Sequence, residues 1–222
     1  LFLGNPGTGK TTVARIMADI FLSLGITTKS GIVEADRSKL VAQYVGQTAP
    51  QTNQVIDSAM GGLLFIDEAY TLSQGPQDSF GQEAIDTLLK RMEDDRGKFV
   101  CIAAGYSREM SDFLASNSGL QSRFNKTITF EDYPPEALAE IFRRKARGEN
   151  FALSPEADAA MVQCFETLYA NRTRNFGNAR EVNNVFQKVK ENQSHRIINL
   201  MMAGNRPTPE QLLTLIPEDF KL

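Results

Sequence analysis

The chain has 222 residues, 41% apolar and 23% charged, which excludes disorder, collagen and a disulfide scaffold and suffices for a buried core without staples. Its 24 basic and 27 acidic side chains leave a formal charge of −3, so nothing global attracts nucleic acid or an anionic membrane. Cys101 and Cys164 are the two cysteines, far apart and each inside an apolar segment, the pattern of buried thiols in a reducing, cytoplasmic compartment.

Leu1-Phe2-Leu3 reads as the tail of a buried strand with neither Met nor a signal region before it, so a core truncated at its N-terminus is expected. After a glycine loop, Val13, Ile16, Met17, Ile20, Phe21 and Leu24 recur at helical steps and predict one buried helix face that Gly25 caps. Ile32-Val33 is a short second strand. Leu63 to Ile66 and Phe99 to Ala104 are continuous apolar runs, as central strands covered on both faces are. Between them Phe80, Ala84, Ile85, Leu88, Leu89 and Met92 form another helical stripe. Ile128 and Phe130 predict a last strand, after which Tyr133-Pro134-Pro135 breaks the pattern.

From there strand signals stop. Residues 136–148, 154–171 and 179–203 read as helices, with Ser154-Pro155-Glu156 a start and Gly204 a stop. The predicted fold is therefore α/β: a parallel sheet with flanking helices over 1–135, then a small all-α domain over 136–222 with a short C-terminal tail. Residues 1–135 hold 12 basic and 16 acidic groups, net −4, and the remainder is net +1. No run approaches the roughly 20 apolar residues that span a bilayer, so no membrane partner is expected.

Gly4-Asn5-Pro6-Gly7-Thr8-Gly9-Lys10-Thr11 matches G-x-x-x-x-G-K-[ST] between a strand and a helix. Asn5, Pro6, Gly7, Thr8, Gly9, Lys10, Thr11 and Thr12 are the predicted nucleotide-binding residues. Glycines let backbone N–H groups converge on phosphate oxygens, Lys10 supplies a cation to the β- and γ-phosphates, and Thr11 offers a hydroxyl to Mg²⁺. Leu64-Phe65-Ile66-Asp67-Glu68 ends an apolar strand in two carboxylates. Asp67 suits Mg²⁺ through its water shell, and Glu68 suits orienting or deprotonating the attacking water. His195 has no Cys or carboxylate at ligand spacing and is assigned no site.

With these, Asp67-Glu68-Ala69-Tyr70, Gly81-Gln82-Glu83-Ala84-Ile85, Ala104-Gly105-Tyr106 and Gly119-Leu120-Gln121-Ser122-Arg123-Phe124 make the chain resemble the AAA+ ATPases. Within them it is similar to the CbbX/CfxQ group, which includes red-type rubisco activases and stage V sporulation protein K-like proteins. The resemblance implies a hexameric, ATP-driven remodeller of a protein partner, and the preference for ATP over GTP rests on it. It makes Tyr44, Val45 and Gly46 a pore loop that grips polypeptide, the alternative being that Tyr44 packs on its own domain. It makes Arg123 a finger entering a neighbouring subunit's site, the alternative being a surface arginine beside a local carboxylate. Arg180, in Gly177-Asn178-Ala179-Arg180, is expected to touch phosphate. Tyr106 stands where the family usually has a sensor asparagine. Two other functions stay open: a nucleic-acid motor, disfavoured by a Tyr-Val-Gly loop without Lys or Arg, and a nucleotide-gated assembly module with little turnover, which the missing asparagine keeps alive.

Overall fold

Five apolar segments become β1 (Phe2–Gly4), β2 (Ile32–Ala35), β3 (Leu63–Ile66), β4 (Val100–Gly105) and β5 (Ile128–Phe130), in a computed structural model that describes residues 1–75 and 77–221. They pair in the order β2-β3-β4-β1-β5, with every pairing parallel. Parallel neighbours need crossovers. These are α1 (Lys10–Ser23) after β1, α2 (Arg37–Leu40) and α3 (Thr48–Ala59) after β2, a 3-10 turn (Ala69–Leu72) with α4 (Ser79–Asp94) after β3, and α5 (Ser107–Ala115) with α6 (Ser118–Arg123) after β4.

All four residues of β3 are buried, and its side chains alternate between two separate cores. Leu64 and Ile66 pack with Ile56, Ile85, Leu88, Met110 and Phe113, while Leu63 and Phe65 pack with Phe2, Ala14, Ala18 and Ile102. A period of two, applied to a strand with helices on both faces, produces this division.

The face of α1 differs from the predicted one. Ala14 and Ala18 are its buried residues, with Val13, Met17 and Phe21 packed beside them, whereas Ile16, Ile20 and Leu24 are exposed. Small side chains let the helix lie close on the sheet, so the contact turns toward alanine and the wide apolar stripe is only half used. Gly25 follows the helix with φ 69°, as expected of a left-handed stop.

A second compact unit contains Asn5–Thr8 and the chain from Glu131 onward. Its helices are α7 (Pro135–Gly148), α8 (Pro155–Ala170), α9 (Ala179–Met202) and α10 (Pro209–Leu213). Ser154 accepts from the Ala157 N–H and Pro155 occupies the first turn of α8, as its sequence predicts. The unit is not wholly helical: β6 (Ala152–Leu153) and β7 (Thr214–Leu215) form a two-residue parallel pair. The segment after Gly204, expected as a tail, is part of the core. Leu215, Asp219 and Phe220 are buried, and Arg196 holds Asp219 bidentately at 2.9 and 3.0 Å. Cys101 and Cys164 are free thiols, and burial pushes the Cys101 thiol up to about 12.

Phe142 centres this second core, fully buried with ring centroids 5.3 Å from Phe186, 5.5 Å from Phe220 and 6.0 Å from Phe165. Phe142→Ala is expected to destabilise the unit by about 3–5 kcal/mol, read as a lower urea midpoint with an unchanged slope.

Candidate active site

The phosphate loop leaves the carboxyl end of β1. Gly7 and Gly9 adopt φ of 71° and 90°, the region glycine enters without steric cost. Gly9 caps α1 with no side-chain hydrogen bond, and the first turn of α1 holds no acidic residue. The leading N–H groups of a 14-residue helix thus remain available to an anion, reinforced by the helix dipole. Lys10 Nζ donates to the Gly4 carbonyl at 2.9 Å, which folds the ammonium back over the loop. Thr11 and Thr12 occupy the first turn of α1.

Within the second unit, Asn5–Thr8 is held by side chains of its own. Asn5 Nδ2 donates to Asp132 Oδ1 at 2.9 Å, and the Tyr133 hydroxyl donates to the Thr8 carbonyl at 2.9 Å. Asn178, fully buried, donates to Asp132 Oδ1 at 2.8 Å and to the Pro6 carbonyl at 3.3 Å, and accepts from the Tyr133 N–H at 2.8 Å. Its backbone sits at φ 51° and ψ −119°, a strained conformation for a residue with a Cβ. A Cβ on Gly7 would lie 2.1 Å from the Gly177 carbonyl oxygen. Arg180 is exposed on the first turn of α9.

Asp67 and Glu68 follow β3. The Asp67 N–H donates to the Ala35 carbonyl at 2.8 Å, continuing the pairing one residue past the strand. Asp67 Oδ1 accepts from the Glu68 N–H at 3.0 Å, and Glu68 is left-handed at φ 47° and ψ 44°. A non-glycine residue there is uncommon, and strain of this kind gathers at functional sites. Tyr106 leaves β4 in the adjacent position and stacks on Tyr70 with centroids 5.7 Å apart. Burial, with the Glu68 carboxylate nearby, pushes the Tyr70 hydroxyl up to about 12, so that ring stays neutral at physiological pH.

Register brings these groups together. Leu3 pairs with Gly105, and Ile66 with Ala103, so Gly4 and Tyr106 leave the sheet at one level and Asp67 follows β3 two residues lower, in step with Ala104, all at the carboxyl edge. Two strand spacings separate β1 from β3, roughly 10 Å. This is the edge where parallel α/β sheets bind ligands.

Among the described residues no three carboxylates, imidazoles or thiols converge. The hydroxyl of Thr11 and the carboxylate of Asp67 are hard oxygens, of the kind Mg²⁺ accepts. Tyr44, Val45 and Gly46 lie apart from this cluster on the loop between α2 and α3, and Tyr44 and Val45 are 73% and 89% exposed. Arg123, at the end of α6, donates to Glu93 at 3.3 Å, as the local-carboxylate alternative requires. Sequence reasoning assigned no role to Tyr70 or Asn178, although both stand in quoted motifs beside assigned residues; a carboxylate pair followed by an aromatic was the available signal for Tyr70.

The sequence matches the model of the ATPase family associated with various cellular activities (AAA) over residues 1–132 and that of the AAA lid domain over 134–222. Stage V sporulation protein K of Bacillus subtilis (strain 168) is 42% identical over 223 residues, covering 100% of this chain and 68% of that protein. The chloroplastic ribulose bisphosphate carboxylase/oxygenase activase of Cyanidioschyzon merolae (strain NIES-3377 / 10D) is 42% identical over 220 residues, covering 99% and 74%. Among solved structures, the FIGL-1 AAA domain in complex with ADP aligns with a TM-score of 0.65 at 15% identity, covering 99% of this chain and 68% of that one; this likeness is one of fold.

Gly7→Ala is expected to abolish nucleotide binding, because both φ and the 2.1 Å approach to Gly177 forbid a methyl there. Titration with a fluorescent ATP analogue checks it, with near-wild-type circular dichroism as the control for folding.

Proposed function

The chain belongs to the ATPase family associated with various cellular activities (AAA) and is an ATPase; on that premise we propose that it hydrolyses ATP with Mg²⁺ within a hexameric ring that remodels or partly threads a protein partner. The observation that carries the second half is the exposed tip at Tyr44 and Val45, 73% and 89% accessible. Apolar area held out on a loop contributes nothing to the fold and is suited to contact with another chain. The tip carries no Lys or Arg between Gln43 and Gln47, which favours polypeptide over nucleic acid, since phosphate backbones are held by cations.

The chemistry follows from placement. Loop amides, the N-terminus of α1 and Lys10 bind the phosphates and stabilise charge as it develops on them. Thr11 and Asp67 hold Mg²⁺, which when bound neutralises phosphate charge. Glu68 orients the water or takes its proton, with its carboxylate projected by the left-handed turn. The Tyr106 hydroxyl supplies the hydrogen bond an amide gives elsewhere. Arg180 adds charge toward the phosphates. Arg123 serves a neighbouring subunit, which requires it to exchange Glu93 for phosphate; such a finger is worth about 10³–10⁵ in rate. A head-to-tail interface that closes on itself is what places it there. The substrate is a protein, and among the described residues no helix is long and apolar enough to cross a membrane.

Glu68→Gln is expected to bind ATP while phosphate release falls by about 10²–10⁴-fold, and proteins trapped on that variant identify the partner by mass spectrometry. Tyr44→Ala is expected to bring the ratio of casein-stimulated to basal turnover to one. ATPase that rises instead with single-stranded DNA and collapses with salt overturns the protein-directed reading.

A further inference from the structure

The Gly81-Gln82-Glu83 stretch has no part in the nucleotide chemistry above, and the structure shows what it holds. Arg37, the first residue of α2, donates through Nη1 to the Thr71 carbonyl at 2.8 Å and to Asp78 Oδ2 at 2.6 Å, and through Nη2 to Asp78 Oδ1 at 2.9 Å. Asp78 caps α4, accepting also from the N–H groups of Gly81 and Gln74. A Cβ at position 81 would stand 2.0 Å from the Leu72 carbonyl oxygen, 2.4 Å from Asp78 Oδ2 and 2.9 Å from Arg37 Nη1, so glycine there is what admits the pair. Two residues on, Glu83 Oε1 accepts from the Ala49 N–H at 3.3 Å, in the first turn of α3. The start of α4 therefore grips α2 and α3, the two stems of the Tyr44 loop.

The stems are also tied to each other. Gln51 Nε2 donates to the carbonyls of Ser38, Lys39 and Val41, and the Thr52 hydroxyl donates to that of Leu40 at 2.8 Å. Arg37 and Tyr44 line one open groove of about 690 Å³. On its other side Arg37 reaches the catalytic turn through a single residue, for the Thr71 N–H and hydroxyl both donate to the Glu68 carbonyl, at 2.8 and 2.7 Å.

We propose that the Arg37–Asp78 pair is a positioning link that passes the state of the Glu68 turn to the Tyr44–Gly46 tip. The inference rests on the function proposed above. The left-handed turn at Glu68 is strained and can relax. Displacing its carbonyl carries Thr71, and with Thr71 the guanidinium at the root of a stapled stem. The pair is suited to transmission because it is bidentate and largely enclosed, with side chains 25% and 10% exposed. The Arg37 guanidinium holds the Asp78 carboxyl down to about 2, so the link is charged on both sides throughout the physiological range. Position between two sites is not coupling; the following measurement is.

These 222 residues contain no tryptophan, so Tyr44→Trp places one reporter on the tip. Its emission is expected to differ between Mg-ATPγS and Mg-ADP. Adding Arg37→Met is expected to abolish that difference with nucleotide affinity unchanged. Arg37→Lys, which keeps the charge and loses the fork, is expected to abolish most of it, and decides the matter if Arg37→Met does not fold. Arginine variants that bind nucleotide and report the full difference overturn the link and leave the proposed function standing. A parent that hydrolyses ATP yet shows no difference overturns both the tip's role and the link.

Discussion

Parallel pairing across β3, β4 and β1 is the constraint on which the site depends. A parallel sheet gathers the carboxyl ends of its strands on one edge, and the register here puts Gly4 and Tyr106 at one level with Asp67 two residues lower. No side chain recognises another to accomplish this. The pairing in turn requires β3 to be apolar at every position, because helices cover both faces. The continuous run from Leu63 to Ile66 and the two carboxylates that end it are therefore one feature: burial stops where water and phosphate begin.

One turn in each unit is held in a costly conformation by hydrogen bonds. Glu68 is left-handed, yet its carbonyl accepts twice from Thr71 and its N–H donates to Asp67. Asn178 is equally unfavourable in backbone terms, and its buried amide has partners for both its oxygen and its nitrogen. A residue strained by about 1–3 kcal/mol persists only where its surroundings over-determine it. Both belong to the candidate site, Glu68 bonding to Asp67 and Asn178 to the Pro6 carbonyl of the glycine loop. Rigid placement of the reacting groups and a store of strain are two aspects of the same bonds.

How much of this was legible in the sequence divides along physical lines. Strands β3 and β4, the helix beginning at Pro155 and the phosphate loop announce themselves through local composition, because local forces make them. The buried face of α1 did not. Apolar periodicity marks every large side chain on a broad stripe, whereas a helix close on a sheet selects Ala14 and Ala18 and leaves Ile16 and Ile20 outside. The pairing of Ala152–Leu153 with Thr214–Leu215 was invisible for another reason: two residues are too few to carry a period, and their partners lie some sixty positions away. The αL turn at Glu68 and the Arg37–Asp78 pair belong to the same class. Each is imposed by tertiary contacts that no window of the sequence contains.

The acidic character of the core also takes on a different meaning. A net charge of −4 over residues 1–135 would seem to oppose a polyanionic nucleotide. Yet screening confines exposed charges to about 8 Å at physiological ionic strength, so what the phosphates experience is local. Around the loop, local means Lys10, the N–H groups that α1 leaves uncapped and a first turn without a single carboxylate. Several of the carboxylates are meanwhile paired: Asp78 with Arg37, Asp95 with Arg91 and Lys98, Glu93 with Arg96 and Arg123. Because those carboxylates already have cations, they fix helix ends and stems without projecting field toward the nucleotide.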